Sequence, residues 1–127
     1  MKQFLFSVLF NFITRVCFGQ TQSEMNEEAA WDFKEADKEF NATFQKILRD
    51  YSTDTIFIKN LKKAQKIRIQ FRDAEMDAKY LDRSGGVYGS VAPMCWSMHK
   101  TNLTKERIKQ LLAWLVGVGE GDVCADQ

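Results

Sequence analysis

"LKKAQKIRIQFRDAEM", residues 61–76, is the stretch on which the fold turns. Apolar residues recur at steps of three and four: Leu61, Ala64, Ile67, Phe71 and Ala74. That spacing returns each side chain to one side of an α-helix. Upstream, Phe57 joins the same stripe, and Ala78 and Leu81 extend it downstream. A helix over about 55–82 follows, with Asp54 or a neighbouring Thr as its cap.

The same period governs the residues on either side. Phe33, Phe40, Phe44, Ile47, Leu48 and Tyr51 mark a helix that ends at "DYSTDT" (50–55). Thr21 and Glu24 stand three apart, the spacing of a capping box, and set its start. Beyond the central stretch, Ser90 is a candidate cap and Pro93 suits a first helical turn, where its missing N–H matters little. Val91, Met94, Cys95, Met98, Ile108, Leu111, Leu112 and Leu115 then continue as a third helix. Thr101 to Thr104 is a point where that helix can break. No segment alternates long enough to make a strand. The expected fold is all-α, a small antiparallel bundle of three long helices.

The chain has 127 residues, 45% of them hydrophobic, which is enough for one domain with a modest core. Residues 1–19 stand apart. Lys2 precedes an apolar run from Phe4 to Ile13, and small Gly19 follows, the pattern of a secretory signal peptide. The domain is then 20–127, with an irregular tail from about 117, where "GVGEG" places glycine at every second position. Removal of 1–19 takes away Lys2 and Arg15 and no acid, so the formal charge moves from +1 to −1. No polybasic run exists, which argues against nucleic acid as a partner. The mature chain has no stretch for a membrane span.

Of three cysteines, Cys95 and Cys124 lie outside the leader. An exported chain with an even pair is in a compartment that permits disulfides, so a Cys95–Cys124 bond is expected. Two free thiols are the alternative. The one histidine, His99, has no second histidine or cysteine cluster to share a metal with. No nucleophile elbow accompanies it, so the expectation is no metal, no cofactor and no catalytic group.

Several polar residues sit beside the apolar stripes. Asp37 and Asn41 are one turn apart on the first helix, Gln65, Arg72 and Asp73 lie on the second, and Arg107 lies on the third. At a helix–helix boundary they need partners, because an unsatisfied polar group costs about 1–3 kcal/mol. An interhelical network of Asp37, Asn41, Arg72 and Arg107 would satisfy them. Solvated flank charges are the alternative.

"EADKEFNATFQKIL" (35–48), "LKKAQKIRIQFRDAEM" (61–76), "GGVYGSVAPM" (85–94) and "NLTKERIKQL" (102–111) together resemble the lysozyme inhibitor LprI-like N-terminal domain family of exported bacterial proteins. Ala36, Asp37, Asn41 and Phe44 fall on its first motif. Ala64, Gln65, Phe71, Arg72, Asp73 and Glu75 fall on the second, and Leu103, Thr104 and Arg107 on the last. The chain departs from the pattern where Phe40 replaces Leu and where Ile67 or Arg68 stands in the place of Trp. Met76 and His99 stand where the family has cysteines, so the resemblance implies that its helix 2–helix 3 staple is absent.

The resemblance also implies a function: an exported or periplasmic inhibitor of lysozyme or a related peptidoglycan hydrolase, with a protein partner and no turnover. The glycine-rich "LDRSGGVYGSV" (81–91) is the candidate contact. Ser84, Gly85 and Tyr88 spell S-G-x-x-Y, which is similar to the inhibitory loop of periplasmic lysozyme inhibitors built on a β-rich fold. Ser84 and Arg83 would meet the carboxylates of a hydrolase cleft, and Tyr88 a sugar subsite. A plain helix–helix turn is the other reading of these glycines. The alternative function is an envelope protein-interaction or immunity-type module that inhibits no hydrolase.

Overall fold

The computed structural model describes residues 19–81 and 89–117. The leader up to residue 18, the loop residues Arg83, Ser84, Gly85 and Tyr88, and the tail with Cys124 lie outside them. Three helices follow one another: α1 (Gln22–Asp50), α2 (Thr55–Lys79) and α3 (Ala92–Val116). A 3-10 turn, Gly89–Val91, leads into α3. Among the described residues there is no strand, so the all-α bundle stands.

Local chemistry explains the helix ends. The Thr21 hydroxyl accepts from the Glu24 N–H at 3.2 Å, and the Glu24 carboxylate accepts from the Thr21 N–H at 3.3 Å. This is the expected capping box. Asp54 caps α2 by accepting from the Phe57 N–H at 2.9 Å. At α3 the expectation needs correction, because Ser90 does not cap it. Val91 holds the cap position without a side-chain bond, and Pro93 lies in the first turn. The Ser90 carbonyl instead accepts from Asn26 Nδ2 at 3.2 Å, which ties the entry of α3 to the start of α1. Gly89, with φ +67°, takes the left-handed conformation there.

The expected break at 101–104 is also absent, since α3 runs unbroken through it. The hydroxyls of Thr101 and Thr104 donate to the carbonyls of Ser97 and Lys100, at 2.8 and 2.9 Å. Both polar groups are thereby satisfied inside the helix.

Contacts at both ends fix the topology. Asn26 meets Ser90 near the starts of α1 and α3, and the Tyr51 hydroxyl donates to the Trp114 carbonyl at 2.7 Å near their ends. Helices α1 and α3 therefore run parallel, with α2 antiparallel to both. The backbones of α1 and α3 associate most closely. Their buried residues show why: Ala29, Ala36 and Thr43 are buried along α1, and Ala92, Ser97, Thr101 and Thr104 along α3. Small side chains let two helix axes approach. Helix α2 turns Leu61, Gln65 and Met76 inward, and its backbone contact with α3 is lighter.

The core gathers toward the α1–α2 turn. Phe40, Ile47, Leu61, Ile108 and Leu111 are buried together, with Phe44, Leu48, Tyr51, Phe57 and Leu115 packed against them. Tyr51, Phe57 and Trp114 close that end, with ring centroids 4.7 Å apart for Tyr51–Phe57 and for Phe57–Trp114.

The stripe read on α2 is displaced. Ile67 and Phe71 are 55% and 54% exposed, and Ala64, Ala74, Ala78 and Leu81 are also exposed. The inward register is Leu61, Gln65, Arg68, Arg72 and Met76, at spacings of four, three, four and four. This helix was rotated in the sequence reading because its inner face carries long polar side chains.

Candidate functional site

The inward face of α2 brings Gln65, Arg68 and Arg72 against α3. Gln65 is buried, and its Oε1 accepts from Arg107 Nε at 3.0 Å. Arg107 also donates to Gln110 at 3.0 Å. Burial is the first cause that pushes the Arg107 guanidinium below its ordinary value, and the charge of Arg68 is the second. Two guanidiniums thus stand close enough to repel each other at the α2–α3 boundary.

Around them lies a pocket with space for about 20 Å³, roughly one water molecule. Arg68, Arg72, Arg107, Gln65 and Glu75 supply its polar lining, and Phe40, Ile69, Phe71, Leu103 and Thr104 complete it. Arg72 pairs with the neighbouring Asp73 at 3.0 Å, and Lys100 of α3 approaches the same carboxylate at 3.7 Å. Arg68 stacks over Phe71 at 5.5 Å from the ring centroid. A wider, mixed-charge groove of about 430 Å³ runs elsewhere, between acidic α1 positions such as Glu35 and Lys105 of α3.

The polar residues singled out in the sequence come together only in part. Gln65 meets Arg107, and Arg72 meets Asp73. Glu75 lines the same pocket. Asp37 and Asn41 form a separate pair on α1 at 3.4 Å, with no hydrogen bond to Arg72 or Arg107. One network of all four is therefore not what the helices make. Arg68 is the member that sequence reasoning passed over. Its signal was the 65, 68, 72 register, hidden beside the more apolar one.

Met76 and His99, where the resemblance places the cysteines of a staple, are 1% exposed and half-buried. His99 stands edge-on to Tyr80 with ring centroids 6.1 Å apart. The Tyr80 hydroxyl donates to the Cys95 carbonyl at 3.2 Å. Packing and hydrogen bonds hold this end of α2 to α3. Cys95 itself is half-buried, and its expected partner, Cys124, is outside the described residues.

Among the described residues no group of His, Cys, Asp and Glu is placed to hold a metal ion. None of the described helices is long and apolar enough to cross a membrane.

A small all-α bundle with a cationic pocket between its second and third helices is the class of protein that these features define. The family model for the lysozyme inhibitor LprI matches residues 17–111. The chain belongs to that family. No curated protein and no solved structure matches it.

Proposed function

We propose that the chain is an exported inhibitor of lysozyme or a related peptidoglycan hydrolase, acting without turnover by occupying the enzyme's cleft. Membership of the lysozyme inhibitor LprI family, over residues 17–111, is the observation that carries this reading. The apolar residues that α2 leaves exposed, Ile67 and Phe71, are in keeping with a protein partner. The loop that leaves α2 supplies Arg83, Ser84, Gly85 and Tyr88, a cation, two hydroxyls and a glycine suited to a cleft that holds two carboxylates and a sugar chain. Cys95 and Cys124 would form a disulfide in the exported chain.

The test is lysis of cell-wall substrate by lysozyme in the presence of the purified mature chain, beside a Ser84→Ala/Tyr88→Ala double variant. Inhibition that the double variant loses supports the loop as the plug. Inhibition that the variant keeps moves the contact to the helix faces. No inhibition of any lysozyme class favours an envelope interaction module instead.

A further inference from the structure

Arg68 and Arg107 line one pocket, and neither forms an ion pair among the described residues. Each guanidinium stays charged at any accessible pH. Arg107 gives two of its five N–H donors to the neutral amides of Gln65 and Gln110. Arg68 has only the face of Phe71 beneath it. The pocket lining sets three guanidiniums against one carboxylate, Glu75, and with Arg72 paired to Asp73 the charges of Arg68 and Arg107 still outnumber it, so the pocket is cationic.

Two half-buried cations at one pocket repel each other in the unbound protein. An anion placed between them removes that repulsion and gains charge-assisted hydrogen bonds. The pocket has space for about one water molecule, a size in keeping with the tip of a carboxylate rather than a sugar ring. Exposed Phe71 and Ile69 stand at the same pocket. An arginine fork with an aromatic neighbour is the composition found at the energetic centres of protein interfaces.

We propose that Arg68, Arg72 and Arg107 seat an aspartate or glutamate side chain of the partner protein, with Phe71 and Ile69 packed beside it. The partner's carboxylate enters between α2 and α3 and takes hydrogen bonds from Arg68 and Arg107. Phe71 and Ile69 cover the methylene stem of that side chain. The α2–α3 face, as well as the loop, is then part of the contact with the hydrolase. Arg72 lies seven residues before the end of α2, about 10 Å along the helix axis. An interface of ordinary size, about 800 Å² on each side, covers that span. The inference takes from the proposed function only which protein supplies the carboxylate.

Two measurements on the mature chain test it. The first follows arginine side-chain Nε–H resonances by NMR while acetyl-Glu-Glu-amide is added, with acetyl-Gln-Gln-amide as control. Saturable shifts at Arg68 and Arg107 with the acidic peptide alone are expected. Equal responses to both peptides, or shifts spread evenly over the arginines, overturn the proposal. The second compares hydrolase inhibition by Arg68→Gln and Arg107→Gln with Lys62→Gln, which removes the same charge from the exposed side of α2. Arg68→Gln breaks no hydrogen bond of the bundle, and circular dichroism checks that both arginine variants fold. At least about a tenfold weakening is expected for each, and less than about twofold for Lys62→Gln. Unchanged inhibition by both arginine variants sinks the arginine seat and leaves the proposed function standing. A wild-type chain that binds the acidic peptide at Arg68 and Arg107 yet inhibits no hydrolase does the reverse.

Discussion

Arg107 of α3 donates through Nε to Oε1 of Gln65 on α2 at 3.0 Å, and the accepting amide is buried. This hydrogen bond joins two helices whose backbones are only lightly in contact. Truncation of Gln65 leaves a half-buried guanidinium without its cross-helix acceptor. Gln65→Ala should destabilise the fold by about 2 kcal/mol. A double-mutant cycle with Arg107→Ala should return a coupling of about 1 kcal/mol in urea unfolding. Additive effects would mean that the bond contributes nothing in solution.

The rotation of α2 gives a second prediction. Leu61 is buried in the core cluster, whereas Ile67 is more than half exposed. Leu61→Ala should therefore cost about 2–4 kcal/mol. Ile67→Ala should change stability by no more than about 0.5 kcal/mol. The stripe read from the sequence alone expects two similar losses, so thermal unfolding of the pair decides which face of α2 is inside.

The junction of α1 and α3 gives a third. Tyr51 donates its hydroxyl to the Trp114 carbonyl at 2.7 Å, and its ring stands edge-on to the indole. Tyr51→Phe keeps the ring and removes the donor. A loss of about 1 kcal/mol is expected. Faster amide hydrogen exchange at the end of α3 should accompany it.

A fourth concerns the close approach of α1 and α3. Ala36 is 2% exposed at their interface. Ala36→Leu adds three carbons to a buried position on the seam, and it should destabilise by about 1–3 kcal/mol. The same substitution at exposed Ala64 should be nearly neutral.

Three helices, their approximate ends and the capping box at Thr21 were legible because they are local. Periodicity and cap chemistry are written in neighbouring residues. Which face of α2 points inward was not legible in the same way. Ile67 and Phe71 outweigh Gln65, Arg68 and Arg72 in any hydropathy pattern, yet the polar set meets α3. The α1–α3 seam was hidden for a related reason. Ala29, Ala36, Thr43, Ser97 and Thr101 contribute little apolar area, and their role is to let two backbones come close. At the candidate site, Gln65, Arg72 and Arg107 were singled out as polar residues beside the stripes and Glu75 by the resemblance, and all four line one pocket. The separation of Asp37 and Asn41 from them depends on helix rotation, which spacing within one helix does not encode.

Inhibition of a peptidoglycan hydrolase by occupation of its cleft is the central claim, and steady-state kinetics test it most directly. Initial rates of cell-wall lysis are to be measured over a range of substrate and mature-chain concentrations, with lysozymes of more than one class. The account predicts that at least one enzyme shows a rising apparent KM with kcat unchanged, the pattern of competition for the cleft. Rates that stay constant for every lysozyme, or a fall in kcat at constant KM, would contradict it.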